Sequence, residues 1–225
     1  MNTKNFTQLL DSRRKFLEGL TGNQIREAAK ILEPCSFYED EGTGILLEDL
    51  NAGRIEDPNK YYGARTALIR GGCVDGYINL LNENDEPGIF LITRNGEPAK
   101  GFLWPIGGAK PRNIVDDKEG LKNVARRELG ENLKLEDIVF IGGVNAGWGT
   151  TPYEVDYGGK GLHDQGNAYY AKGIGKFQLT NLEKNPSIIT KNMWISRNND
   201  PILSNLHCYV EENVIKAMAL LKDYC

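Results

Sequence analysis

The stretch from Trp104 to Leu135, WPIGGAKPRNIVDDKEGLKNVARRELGENLKL, limits the possible folds more than any other part of the chain. Gly107 and Gly108 let the backbone turn tightly and approach a ligand where a side chain would obstruct. An acidic loop follows. Asp116 or Asp117 suits a helix N-terminus, where a carboxylate accepts otherwise unpaired amide hydrogens and matches the dipole. Leu121, Ala125, Leu129 and Leu133 recur every fourth residue. At about 100° per residue they form one buried stripe, so the helix is expected to run on through residue 133. Glu128 flanks that stripe, Glu131 lies further towards solvent, and Asn132 returns beside Glu128. Residues three and four apart are neighbours on a helix, so these three form a polar patch at the rim of the packed face. Adjacent carboxylates repel unless a cation or proton intervenes. Hard oxygen donors suit Mg²⁺ or Mn²⁺, with phosphate oxygens completing the shell.

The flanking sequence supplies a sheet for this helix to cover. Apolar, β-branched or alternating runs predict strands over 64–70, 77–81, 89–93, 138–144 and 167–174, with a shorter one near 177–179. Asn95-Gly96 is the strongest hairpin signal. Residues 147–166, rich in glycine and polar side chains, read as a long loop holding Glu154, Asp156, His163 and Asp164. Leu203, Leu206, Val210, Val214, Met218 and Leu221 track one face of a helix over 203–222. Two amphipathic helices are expected at the start, over 6–20 and 23–33, with Asn23 as a cap and Pro34 as a stop. They either cap the core or form a homodimer interface. The turn-rich connector 51–63 separates a helical extension, residues 1–60, from a main domain, residues 61–225. Strands dominate the middle and helices bracket them, which predicts an α/β (α+β) fold: a mixed sheet sandwiched between helices.

Bulk properties narrow the function. The chain has 225 residues and a net charge of -4, with no concentrated basic face for nucleic acid. The N-terminus lacks the apolar core of a secretory signal. No apolar run approaches the roughly 18 to 20 residues that span a bilayer. Cys35, Cys73, Cys208 and Cys225 form no CxxC pair, which argues against paired-cysteine zinc and fits a reduced, cytoplasmic protein.

The focal stretch resembles the signature of the Nudix hydrolases, Gly-x5-Glu-x7-Arg-Glu-U-x-Glu-Glu-x-Gly-U, where U is a bulky apolar residue. Glu119, seven intervening residues, then Arg127-Glu128-Leu129-x-Glu131 match the spacing, and Leu135 matches the last apolar position. The WPIGG lead-in is similar to the family's hydrophobic-Pro-Gly-Gly. The likeness extends over about residues 62–222. It implies a divalent-metal-dependent hydrolase that cleaves the pyrophosphate of a nucleoside diphosphate linked to another group. By resemblance Glu128 is a main metal ligand that also helps to activate water, and Glu131 is a second ligand. Gly108 offers its carbonyl, Arg127 orients the glutamates and Glu119 supports the loop. Three positions depart from the pattern. Asn132 stands where the family has a ligating glutamate and offers only a neutral oxygen. Lys134 stands where the family has glycine. Ten residues, not five, separate Gly108 from Glu119, and Asp116 or Asp117 in that longer loop is a candidate replacement carboxylate.

These departures leave two functional readings: a hydrolase, or a Nudix-fold protein that binds a nucleotide or metabolite without cleaving it. Trp104 is a candidate for stacking on a base. Lys110 and Arg112 are candidates for phosphate contact, and His163 for substrate reading or general base. His207, beside the apolar stripe of the last helix, is assigned a structural role.

Overall fold

The computed structural model describes residues 3–32, 72–95, 99–110, 116–148, 162–179 and 186–221. The connector 51–63, the predicted strand 64–70, Arg112, Glu154 and Asp156 lie outside them. The described residues form an α+β fold with a seven-stranded mixed sheet.

β1 (Cys73–Leu81) is the hub of the sheet. Its second half pairs antiparallel with β2 (Pro87–Thr93), and its first half pairs antiparallel with β4 (Ile106–Ala109). Along its other edge it runs parallel to β6 (Leu162–Ile174). β5 (Lys134–Trp148) extends the sheet beyond β6. β2 carries β7 (Pro186–Thr190) and the short β3 (Leu103–Trp104). β1 is longer than the run 77–81 because Val74 and Tyr77 are buried on opposite faces and extend the alternation towards the N-terminus. Residues 177–179 are irregular, not a strand.

Side chains alternate across a strand, so β1 divides the molecule. Val74 and Gly76 face α3 (Asp117–Leu129): a Cβ on Gly76 would lie 2.6 Å from Leu121 Cδ1, and one on Gly120 would lie 3.7 Å from Val74 Cγ2. Asp75 faces α5 (Cys208–Leu221), where Tyr209 meets it. Leu121 and Leu129 are fully buried on the α3 side, and Val214 and Leu220 on the α5 side. Each such side chain contributes about 1.5–3 kcal/mol through burial.

The first helices, α1 (Thr3–Glu18) and α2 (Gly22–Leu32), pack on α5, and α2 also packs on β5. Leu17, Ile25 and Ala29 join the main core. Arg26 forks onto Asp137 at 2.6 and 2.8 Å. The cap of α2 is Thr21, not Asn23. Thr21 Oγ1 accepts from the Gln24 amide, and Gln24 Oε1 accepts from the Thr21 amide at 2.9 Å, a reciprocal pair in which each side chain satisfies an end of the turn.

Two other expectations are corrected. The expected loop 147–166 is shorter, because β5 continues to Trp148 and β6 begins at Leu162, with Gly147 opposite His163. Glycine tolerates such a two-stranded ribbon where neighbouring backbones supply the hydrogen bonds. The last helix begins at Cys208 rather than at residue 203. Leu203–Asn205 form a separate 3₁₀ turn, and Leu206 is extended. The apolar segment Met193–Ile195 falls in the short α4 (Lys191–Ile195), capped by Thr190.

Candidate functional site

The site is built where β4 approaches α3. Gly107 lies opposite Asp75 in the β1–β4 register. A Cβ at Gly107 would fall 2.0 Å from Asp75 Oδ1 and 2.9 Å from the Val74 carbonyl, so only glycine fits. A Cβ at Gly108 would come 3.1 Å from Arg127 Nη2. Gly107 is therefore required by close packing, whereas at Gly108 the neighbour is the movable end of Arg127 and the backbone angle, φ +158, is the constraint. Arg127 Nη2 donates to the Gly107 carbonyl at 3.4 Å, and Arg127 Nε donates to Glu128 Oε1 at 3.1 Å. The Glu128 side chain is 13% exposed, whereas that of Arg127 is 57% exposed. The carboxylate thus sits sheltered beneath a guanidinium that faces solvent.

α3 begins where a cap is supplied. Asp116 accepts from the Lys118 amide at 2.9 Å, which leaves Asp117 inside the first turn. Leu121, Val124, Ala125 and Leu129 bury the stripe. The helix then stops at Leu129, earlier than the apolar spacing implies. Gly130 takes φ +89 at the cap and its amide donates to Arg126, a conformation that favours glycine. Leu133 still reaches the core from the turn that follows. Glu131 and Asn132 consequently lie off the helix, in that turn. Glu131 is 79% exposed and pairs with Arg126 at 3.2 Å. Asn132 is exposed, and its backbone oxygen is close to Gly175. Glu131 and Asn132, expected on the helix with Glu128, lie instead in the turn after it. Gly130 was the sequence signal for this break.

Asp117 is the most heavily engaged carboxylate of the region. It is paired with the buried Lys110 ammonium, and its other oxygen accepts from Asn167 Nδ2 at 2.6 Å and Tyr169 Oη at 3.1 Å. The cluster ties Lys110 after β4 and the first turn of α3 to β6. Lys110 is therefore turned inwards. Glu119 is half exposed beside Lys122 at 3.4 Å. Trp104 is buried among His207 and Tyr209, each ring 5.6 Å away, with the Arg94 guanidinium 5.4 Å from its ring. The backbone of His163 lies in β6, opposite Gly147 of β5.

The donor set can be tested against a divalent cation. Mg²⁺ is usually held by one or two carboxylates, with water and substrate phosphate oxygens filling the shell. Glu128 is one sheltered carboxylate beside the carbonyl-bearing Gly107–Gly108 turn. Among the described residues, no three His, Cys, Asp or Glu side chains gather as a cation site. These donors suit a cation that arrives with a phosphate, not one held by a cage of protein carboxylates.

On the opposite face of β1 lies a second polar set that periodicity did not reveal. Asp75 is 7% exposed and accepts from Tyr209 Oη at 2.7 Å. Burial, then the Asp75 charge, push the Tyr209 hydroxyl well above its ordinary range, so it remains a donor. The buried Tyr77 hydroxyl is pushed up for the same two reasons. The Lys216 ammonium is held below its ordinary value by burial, partly offset by Glu212. His207 Nδ1 accepts from the Tyr209 amide at 3.3 Å and so caps α5, and burial lowers its pKa. Asp75 and Tyr209 are 134 positions apart, and each alone looks like an ordinary residue of a strand or helix. Among the described residues, no helix is long and apolar enough to cross a membrane.

No family model and no curated protein matches the chain. The chain is similar to solved structures of Nudix-family proteins. One is a NUDIX-family hydrolase from Clostridium perfringens, 15% identical, with a TM-score of 0.43 over 69% of this chain and 99% of that one. Another is the MutT protein from Methanosarcina mazei Go1, 16% identical, with a TM-score of 0.43 over 69% and 96%. A third is the NUDIX domain of Shewanella oneidensis NrtR complexed with ADP ribose, 10% identical, with a TM-score of 0.40 over 77% and 96%.

Proposed function

We propose that the protein is a Nudix-type hydrolase that binds a nucleoside diphosphate joined to a second group and cleaves its pyrophosphate bond. The observation that carries this reading is the convergence of Gly107, Arg127 and Glu128 at the spacing of the Nudix signature. Glu128 and the Gly107–Gly108 backbone would hold Mg²⁺ or Mn²⁺ together with the substrate phosphates. When bound, the cation polarises a phosphate oxygen and makes its water more acidic. Arg127 fixes Glu128 Oε1 by hydrogen bonding, and its solvent-facing guanidinium is placed to meet a phosphate. The Glu128 carboxylate would meet the cation or take a proton from water.

The test is turnover of a broad panel of nucleoside diphosphate derivatives with Mg²⁺ or Mn²⁺. Wild type should release a nucleoside monophosphate. Glu128→Gln should lose about 100-fold or more in kcat, the scale of losing a principal electrostatic group. No turnover of any member of the panel sinks the reading.

A second reading is favoured by the exposed, Arg126-paired Glu131 and the neutral Asn132. In it the same site binds the nucleotide with its cation and does not cleave it. Nucleotide-dependent thermal stabilisation without product would establish this alternative. Wild type and Glu128→Gln cleaving equally would expose a contaminant.

A further inference from the structure

We propose that Asp75 and Tyr209 are positioning residues that hold the Gly107–Gly108 backbone in register with Arg127 and Glu128, and so couple the start of α5 to the site across the sheet. The inference rests on the functional reading above, and its geometric core stands independently.

The links are contiguous. Tyr209 Oη donates to Asp75 Oδ2 at 2.7 Å. The other oxygen of the same carboxylate fills the space where a Gly107 side chain would be, 2.0 Å from the ideal Cβ position. Gly107 passes the restraint on through its own carbonyl, which accepts from Arg127, and Arg127 holds Glu128. Five residues from four elements thus form one path from α5 to the candidate carboxylate of α3.

Two physical features distinguish this path from ordinary core packing. A carboxylate taken from water into a protein core costs several kcal/mol unless it is hydrogen-bonded, yet Asp75 lies buried in β1, on the same strand as the buried Val74 and Ile78. A leucine or valine would fill that volume more cheaply, but it would have no fixed polar contact to aim it. A short hydrogen bond to a charged acceptor is stronger and more directional than an apolar contact. The carboxylate is therefore held at one rotamer by Tyr209 and transmits that position to Gly107.

Tyr209→Phe is the discriminating variant, because it removes one hydroxyl and leaves the ring tilted against Trp104. The Gly107 and Gly108 amide resonances should shift. With a turned-over substrate, kcat should fall by about tenfold to a hundredfold, the cost of a small misplacement of reacting groups, with KM changed less than twofold. Gly107→Ala should abolish the site, and Asp75→Gly in that background should restore part of it, because it removes the nearest obstacle and leaves only the Val74 carbonyl. A lower Tm with unchanged Gly107 and Gly108 resonances in Tyr209→Phe would overturn the inference. Failure of Asp75→Gly to improve Gly107→Ala, when both fold, would do the same. If wild type cleaves nothing, the functional reading fails, and the amide resonances still decide the coupling.

Discussion

Two carboxylates, the part-buried Asp117 and the buried Asp75, stand on opposite faces of the same sheet and are handled in opposite ways. On the α3 face, Asp117 meets an ammonium, a carboxamide and a hydroxyl. Cation, anion and hydrogen-bond donors close on one another there. On the α5 face, Asp75 meets the Tyr209 hydroxyl, and the polar atoms around it are incompletely matched. Tyr77 Oη and Asn213 Oδ1 are buried without a hydrogen-bond partner among the described residues. Asn213 Oδ1 and Lys216 Nζ both crowd Gly142, at 3.1 and 3.0 Å from where its Cβ would be. A matched buried group contributes modestly, whereas an unmatched one costs about 1–3 kcal/mol. The α3 face therefore behaves as an anchor for the helix bearing Glu128. The α5 face keeps polar groups at a cost in stability, in the region that aims Gly107.

The largest expected effect tests the anchor. Asp117→Ala should destabilise the fold by about 3–5 kcal/mol, the scale of breaking a sheltered ion pair by removing one partner, because it takes the carboxylate away from the buried Lys110 ammonium. Chemical denaturation measures this directly. A loss below about 1 kcal/mol, the scale of an exposed ion pair, would erase the distinction between the faces.

A smaller effect, specific to the α5 face, depends on pH. His207 is half-buried against Phe102 and Trp104 and accepts the Tyr209 amide hydrogen. Its folded-state pKa lies below the ordinary 6.5, so the neutral form is the one the fold prefers. Its contribution is fully present above 6.5, and it is lost as the pH falls from there through the lower folded value. Protonation also removes the cap and places a positive charge at a helix N-terminus. Thermal melts between pH 7.5 and about pH 5 should show Tm falling in wild type and falling less steeply in His207→Gln. Parallel curves would remove His207 from the comparison.

Smaller still, Tyr77→Phe should be neutral or stabilising by up to about 1 kcal/mol, because it deletes an unmatched buried hydroxyl and keeps the ring. Destabilisation beyond 1 kcal/mol would mean that the hydroxyl is satisfied and that the α5 face is as well matched as its opposite. The smallest change is expected at the surface, where Arg13 pairs with Glu212 at 2.7 Å and is 59% exposed. Arg13→Ala should cost about 0.2–1 kcal/mol, and less at high salt. A larger loss would show that α1 is held to α5 by charge more than by Leu17.

Much of the α3 face was legible from residue order. Leu121, Ala125 and Leu129 mark its stripe, the pair Asp116-Asp117 its capped end, and Gly107-Gly108 the close approach, because each depends on neighbours within a few turns. The helix end was legible too, but through Gly130. Following the apolar spacing to Leu133 misplaced Glu131 and Asn132, since a residue past a cap can still reach the core. The inward turn of Lys110 was not legible. Its partner Asp117 is seven positions away, yet their burial depends on Asn167 and Tyr169 arriving from β6.

The sequence by itself determined the elements and the local chemistry: an alternating sheet, two amphipathic helices against it, and a Gly-Gly turn ahead of an arginine and a glutamate. Those features follow from steric limits and periodicities that act over a few residues. Only the tertiary structure decided which carboxylates are sheltered, which are exposed, and which face each other through the sheet. The parallel pairing of β1 with β6 brings residues about ninety positions apart into register, and the return of α5 delivers Tyr209 to Asp75. Such meetings depend on topology and on the exclusion of water from a shared core, and no local pattern encodes them.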